Sequence, residues 1–378
     1  MMESQREHPR LESGNKLAHE PDDSRGNSSA RKLDPEPRRI LVKEVNWLGD
    51  LVMSLPALQA VRHAWPAAHL AVLVKKELAS FFDGIAWVDE VIPYSVGRGV
   101  SGFMDRRRII GEIRSRQFDL GVLFPNSFES ALWITMAGIS RRAGFVADAR
   151  GAMLTHKATP PRHAMNSHQS QYWLSMVRLT IGAVSAVDDV ALDDHEPHRE
   201  KMAQWLLANR KRRDSQLIAI APAAAYGPAK EWPAARYGAL IDLLAERDHA
   251  EVVLVGAPSE RAKCEEVAAA SGVGAIVAAG ETTIGELVAL LSLCDSFIGN
   301  DSGCAHLAGA LGIPTVAIFG STDPGRTSPV GNRARVIYHK LECSPCLART
   351  CRFGHYRCLT QIEPEELADA MRSLRVST

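Results

Sequence analysis

From Arg39 onward one pattern repeats: a short apolar run, a polar turn, then apolar residues at helical spacing. Ile40–Val45 reads as a buried strand. It is followed by Asn46-Trp47-Leu48-Gly49-Asp50, and then Leu51, Leu55, Leu58 and Val61 recur at helical spacing. Strands are predicted over His69–Val74, Val88–Tyr94 and Phe118–Phe124, with helices over Glu77–Phe82, Met104–Arg116 and Ser127–Ala137. No element is assigned between Gly138 and Ala183. The stretch Val184–Pro197 is acidic with weak periodicity and reads as a linker, 184–197. The alternation then restarts. Helices are predicted over Glu200–Asn209, Ala234–Glu246, Ser259–Ala270, Ile284–Leu293 and Ala305–Ala310, and strands over Leu217–Ala221, Glu251–Val255, Ala275–Val277, Ser296–Gly299 and Thr315–Phe319. A last helix runs from Pro364 to about Leu374. Such alternation means βαβ units and mostly parallel sheets. The fold expected is α/β, with two Rossmann-like doubly wound domains, 39–183 and 198–342, facing across a cleft. A Cys-rich segment with a closing helix, 343–378, completes the chain.

Residues 1–38 contain no aromatic residue and few aliphatic ones, so they bury too little to offset their ordering entropy. They read as a disordered extension that can be deleted without loss. Lys+Arg and Asp+Glu are both 44, which gives no sign of a nucleic-acid binder. That balance hides an asymmetry. Residues 40–180 carry 16 basic and 11 acidic side chains, and residues 181–378 carry 20 and 25. A basic first half suits an anionic partner. No apolar run nears the roughly 18 residues that span a bilayer, and the N-terminus lacks the apolar core of a secretory signal. Seven cysteines, an odd number, then favour reduced thiols in the cytoplasm.

Three motifs can carry chemistry. Gly49 and Asp50 follow the first strand, at the carboxyl end where open α/β sheets bind ligands. Gly49 permits close approach, and Asp50 serves either as a general base or as a helix cap. Gly227-Pro228-Ala229-Lys230 follows the first strand of the second half; a lysine fixed there either pairs with a phosphate or is a solvated surface charge. In Asn300-Asp301-Ser302-Gly303-Cys304-Ala305-His306 a strand ends and a helix opens. Free N–H groups at a helix start bind phosphate, Asp301 can accept from sugar hydroxyls, and His306 lies a turn further in. The plainer alternative makes Asp301 and Ser302 helix caps and His306 a core histidine. The next strand's exit, Phe319-Gly320-Ser321-Thr322-Asp323-Pro324, supplies an adjacent loop.

Two further patterns are weaker. Gly97-Arg98-Gly99-Val100-Ser101-Gly102 fits the dinucleotide glycine pattern but follows a later strand, not the first. Cys343, Cys346, Cys351 and Cys358, with His355 nearby, are close enough in sequence to hold Zn²⁺ or an iron–sulfur cluster, or to be free thiols. Because they lie away in sequence from the candidate phosphate-binding loops at Lys230 and Ser302, a structural role is expected.

Taken together, Trp47-Leu48-Gly49-Asp50, Gly227-Pro228-Ala229-Lys230, Asp301-Ser302-Gly303 with His306, and Phe319–Pro324 resemble the ADP-heptose:lipopolysaccharide heptosyltransferases, inverting GT-B glycosyltransferases of family 9. The resemblance runs from about residue 39 to the end. The segment Cys343–Leu359 and the Gly-Pro-Ala-Lys form are most similar to the heptosyltransferase II branch, which adds the second inner-core heptose. The resemblance implies that Asp50 is the base beside Gly49 at an acceptor site. It also implies that Lys230 meets the donor diphosphate, and that Asp301, Ser302, Gly303 and His306 line the donor loop. Implied partners are ADP-heptose, a phosphorylated lipopolysaccharide core glycolipid and the cytoplasmic face of the inner membrane, with no metal or other cofactor required. Arg106, Arg107, Arg108, Arg114 and Arg116 either face that acceptor or membrane or form a solvated helix face. Ala223-Ala224-Ala225 departs from the family, whose members often carry Gly, Glu or Thr there. Two other functions suit the same fold: a nucleotide-sugar epimerase, and a non-catalytic nucleotide-sugar-binding module.

Overall fold

The computed structural model describes residues 33–184, 191–192 and 196–376. The extension up to residue 32 and most of the expected linker lie outside the described residues.

Two six-stranded sheets, every strand pair parallel, form the framework. The first contains β1 (Arg39–Lys43), β2 (His69–Lys75), β3 (Glu90–Tyr94), β4 (Leu120–Leu123), β5 (Arg141–Phe145) and β6 (His156–Ala158), in the order β3-β2-β1-β4-β5-β6. The second contains β7 (Leu217–Ala221), β8 (Glu251–Leu254), β9 (Ile276–Val277), β10 (Ser296–Asn300), β11 (Thr315–Phe319) and β12 (Ala334–Tyr338), in the order β12-β11-β10-β7-β8-β9. Numbered within its own half, the second sheet repeats the first: both are the doubly wound 3-2-1-4-5-6 arrangement, with the crevice at the switch beside the first strand. The central strands are buried on both faces, which is why they read as continuous apolar runs.

The helices of the first half are α1 (Leu48–Ala64), α2 (Gly99–Ser115), α3 (Phe128–Met136), α4 (Arg162–Asn166) and α5 (Gln169–Ile181). Those of the second are α6 (Glu196–Asn209), α7 (Ala234–Asp248), α8 (Arg261–Ala270), α9 (Ile284–Ser292), α10 (Gly303–Ala310), α11 (Pro324–Thr327), α12 (Arg357–Thr360) and α13 (Pro364–Val376). The predicted elements are present, most with ends shifted by a few residues, except that the helix expected over Glu77–Phe82 is a 3₁₀ turn, Lys76–Phe82. The structure adds β5, β6, α4 and α5 in the unassigned stretch, and β12 as the far edge of the second sheet. Gly99 and Gly102 of the dinucleotide-like pattern lie in the first turn of α2, where Gly102 leaves room for the Gly97 carbonyl oxygen.

The first half begins earlier than residue 39. Leu33 is buried in the core, the Pro35 carbonyl accepts from Arg141, and the Arg38 N–H donates to Asp119. One hydrophobic cluster runs through both halves, joined where α1 packs on α10 and where the turn Lys76–Phe82 packs on α9. Polar contacts rim that junction. Asp83 meets His198 at 2.8 Å, the Gly285 N–H donates to the Ser80 hydroxyl, and His168 lies 2.9 Å from the Ser328 carbonyl oxygen.

Candidate active site

The site forms where the carboxyl ends of β1 and β10 face each other. α1 starts at Leu48, so Asp50 is its third residue. Trp47 is the N-cap, and no side chain caps the helix. The capping alternative for Asp50 therefore fails on position. A carboxylate in the first turn is favoured by the helix dipole. The Asp50 carboxylate makes no hydrogen bond or ion pair with any described residue. Burial pushes its pKa up to about 6; Lys230 pulls it down and Asp301 pushes it up. Those two partners belong to the second half, so Asp50 faces them across the cleft.

Lys230 ends a short helical turn, Pro228–Lys230, that Gly227 opens at a φ of +139°. Its Nζ lies 2.6 Å from Asp301 Oδ2 and 4.8 Å from the centre of the Tyr226 ring. Lys230 is thus a placed, mostly buried cation rather than a surface one. The same Asp301 oxygen accepts from the Thr322 hydroxyl at 2.6 Å, and Oδ1 stands 4.0 Å from His306 Nε2. One Asp301 oxygen is thereby committed within the protein, and Oδ1 remains for a ligand hydroxyl. Asn300 holds the arrangement from beneath. Its amide donates to the Pro222 carbonyl, and its oxygen accepts from the Trp232 N–H and the Tyr237 hydroxyl, tying the Lys230 loop to the end of β10.

Ser302 is the N-cap of α10, yet its hydroxyl caps nothing; Ser302 Oγ, Ser321 Oγ and His306 Nδ1 are all buried without a partner. Buried polar atoms are rarely left unpaired. Three of them around one helix start, whose first N–H groups lack intrahelical acceptors, suit a polyanionic ligand. His306 is neutral: burial lowers its pKa to about 4, with Asp301 raising it and His168 and Lys230 lowering it. Asp323, in contrast, is spent as the cap of α11 through the Gly325 N–H.

Gly49 and Gly303 do something not foreseen in the sequence. A Cβ on Gly49 would stand 2.8 Å from His306 Cδ2, and one on Gly303 would stand 2.8 Å from Leu48 Cβ. Each helix start is seated in the gap left by the other's glycine. The room at Gly49 is filled by His306, not kept open for a ligand.

The Cys-rich segment is not remote from the site. The Arg349 carbonyl accepts from the Ala229 N–H, the Tyr226 hydroxyl donates to the Leu347 carbonyl, and the N–H groups of Cys346 and Leu347 both donate to the Ser321 carbonyl. It is a strap over both candidate ligand loops. All four of its cysteines line one pocket with Ala229 and Ser321. Among the described residues no group of three His, Cys, Asp or Glu side chains is placed to hold a metal ion. Thr322, Asn300, Tyr226 and Ser321 were not singled out in the sequence. Thr322, Ser321 and Asn300 sit in quoted motifs, whereas Tyr226 lies just outside one; Asn300 and Tyr226 act through contacts distant along the chain.

Two doubly wound domains meeting at the carboxyl ends of their sheets, with the polar cluster between them, define a GT-B glycosyltransferase architecture. Residues 106–357, more than half of the chain, match glycosyltransferase family 9 (heptosyltransferase), and the chain belongs to that family. It is 28% identical to lipopolysaccharide heptosyltransferase 2 of Salmonella typhimurium, over 89% of this chain and 98% of that one. It is 25% identical to lipooligosaccharide heptosyltransferase 2 of Campylobacter jejuni, over 89% and 98%. The solved structure of Escherichia coli ADP-heptose lps heptosyltransferase II superposes with a TM-score of 0.76, at 24% identity, covering 90% of this chain and 99% of that one.

Proposed function

We propose that the protein transfers heptose from ADP-heptose onto the phosphorylated inner core of lipopolysaccharide, adding the second heptose, in the cytoplasm. Domain 39–183 takes the acceptor and domain 198–342 the donor. The acceptor hydroxyl attacks the anomeric carbon from the face opposite the ADP, so the centre inverts. As the new C–O bond forms, the hydroxyl proton passes to Asp50 and the bond to the diphosphate breaks. The departing ADP oxygen gains charge, which Lys230 and the start of α10 at Ser302 and Gly303 stabilise. Asp301 orients Lys230 and leaves Oδ1 for a sugar hydroxyl. His306, uncharged, fills the space behind Gly49.

The observation that carries this reading is Asp50: a carboxylate without a hydrogen-bond partner, its pKa raised to about 6, facing Lys230 and Asp301 across the cleft. Its basicity is set high enough to accept a proton and low enough to be ionised near neutrality. The test is incubation of the protein with ADP-heptose and core acceptors bearing no heptose or one heptose, scored by product mass. A gain of one heptose only on the acceptor that already carries one is expected. Transfer to the heptose-free acceptor would move the reaction to the first heptose. No transfer, together with donor interconversion, would favour an epimerase.

A further inference from the structure

The first domain exposes its apolar side chains at one edge. Eight large ones between residues 33 and 183 are open to solvent, and seven of them follow the carboxyl end of a strand within ten residues. Only Met136, at the far end of α3, lies elsewhere. The densest group is at the outer corner, after edge strand β3. There Val100 is 82%, Phe103 57% and Met104 59% exposed, in the first two turns of α2. α3 starts beside them with Phe128 half-exposed, and the 2.6 Å ion pair between Arg106 and Glu129 ties the two helix starts together.

This face of α2 is reversed from what a soluble helix presents, because Ile109, Ile110 and Ile113 already supply its buried side. Contiguous exposed apolar residues mark a contact surface. The charge around them is positive. Arg98 and Arg107 flank the apolar turn with no carboxylate partner among the described residues, and Arg107 lies over the Phe103 ring at 5.9 Å. The other arginines are engaged. Arg106 pairs with Glu129, Arg108 with Asp105, and Arg116 with Glu90 and Glu112, while Arg114 donates to the Met136 carbonyl. No described helix is long and apolar enough to cross a membrane.

We infer that the start of α2, with Phe128, is a docking surface for an anionic lipid bilayer: Val100, Phe103 and Met104 enter the interface while Arg98 and Arg107 meet lipid phosphates. Apolar insertion combined with basic residues is the chemistry of interfacial helices. This extends the proposed function, since it holds the cleft of Asp50 at the surface where a lipid-borne acceptor would sit. A partner protein would be matched by the apolar residues alone. The unpaired arginines at their border favour phosphate-bearing lipid.

The experiment is flotation of the full chain with vesicles of phosphatidylethanolamine and phosphatidylglycerol, and with neutral phosphatidylcholine vesicles, without substrate. Binding to the anionic vesicles that weakens with salt is expected. Phe103→Ser with Met104→Ser should lower it at least tenfold, and Arg107→Glu by about fivefold or more. Both variants should keep the wild-type melting temperature, because these side chains are already in water. Their transfer to an acyl-free acceptor should match wild type, while transfer to a vesicle-borne acceptor falls. Absence of wild-type flotation, or unaltered flotation of the variants, overturns the docking surface. So does a concentration-dependent dimer that the serine variant abolishes without lipid. Failure of transfer in every assay with flotation intact would overturn the proposed reaction instead.

Discussion

Asp50 and Lys230 make different demands on the fold, and substitution should separate them. Asp50→Asn keeps the shape and removes the basic oxygen, so transfer should fall ~10²–10⁴-fold while ADP-heptose binding is kept. The stability effect has the opposite sign. A carboxyl whose pKa rises from 3.8 to about 6 on folding binds its proton more tightly when folded. That contribution is complete below the unfolded pKa and is lost as pH rises towards 6. Wild type is therefore penalised near neutrality relative to Asp50→Asn, by about 1–3 kcal/mol. The variant's melting advantage should grow from pH 4 to 6 and then stay level. An advantage that does not change with pH would remove the buried-base assignment. Wild-type turnover should also rise with pH through the same range. Lys230→Ala should cost ~10²–10³ in turnover. It should also destabilise, because Asp301, only 4% exposed, loses its cation and keeps the Thr322 hydroxyl. Titration with ADP and a melting curve check both effects. Unchanged ADP affinity would take the diphosphate away from Lys230.

Elements show where the sequence was legible and where it was not. The central strands were, because burial on both faces leaves an apolar run that nothing else explains. α5 carries the signal but is missing from the sequence assignment: Tyr172, Trp173, Met176, Val177 and Ile181 recur at helical spacing and all face the core. β5 was not. It begins Arg141-Arg142, and these strand residues are tolerated because their guanidinium groups reach carbonyls of Asp119, Met153 and Ile139 around the sheet edge. The end of β1 and the residue after it conceal two ionisable side chains for a similar reason. Lys43 donates to the Glu44 carbonyl and lies over the Tyr94 ring, while Glu44 accepts from Ser54. In the candidate site the motif residues could be read because they follow strand ends. The pairing of Gly49 with His306 could not, since it depends on how two separate domains meet. That contact yields a prediction. Gly49→Ala or Gly303→Ala forces α1 and α10 apart, at roughly 1–3 kcal/mol of overpacking. A shift near 1 Å between donor and acceptor sides can cost about a hundredfold in rate. Turnover should fall more than ADP affinity does, and equal losses would place the strain inside the donor site. The Cys strap yields another. Burial works to raise the Cys351 pKa, but backbone N–H groups of Tyr356, Phe353, His355 and Gly354 more than reverse it. Cys358 is pushed up to about 11, by burial first and then by Cys346, Cys343 and Cys351. Alkylation with mass mapping should mark Cys351 before Cys358, and Cys264, Cys294 and Cys304 only on unfolding, because all three are buried. Simultaneous labelling of Cys351 and Cys358 would contradict that order.

At the scale of the whole molecule, the two sheets repeat one topology and share one hydrophobic cluster, so what secures the first sheet also secures the wall that carries Asp50. The start of the chain bears on this directly. By composition, everything before Arg39 belonged to the extension, and a cut at residue 37 would cost nothing. Yet Leu33 is only 8% exposed and belongs to the shared cluster. A short polar segment with one aliphatic residue gives no periodicity to detect, so its docking cannot be read from the sequence. The Pro35 carbonyl accepts from the Arg141 guanidinium at 2.6 Å, and Arg141 in turn lies 3.4 Å from Asp119. Asp119 also accepts from the Arg38 and Arg39 N–H groups, just before β1 enters the sheet. Residues 33–37 thus fasten the entry of β1 to β4 and β5. Burying a leucine is worth about 1.5–3 kcal/mol, and a hydrogen bond to a charged donor about 1.5–3 kcal/mol. Because the denatured chain retains some burial, the expected loss is about 2–4 kcal/mol rather than the full sum. Two truncations isolate it: removal of residues 1–32 keeps the segment, and removal of residues 1–37 deletes it. The longer truncation should unfold at a lower denaturant midpoint than the shorter one, with the same slope. Arg141→Ala should reproduce part of that loss when residues 33–37 are kept and cost less when they are removed, since the two changes share one contact. Equal midpoints for the two truncations would return residues 33–37 to the extension.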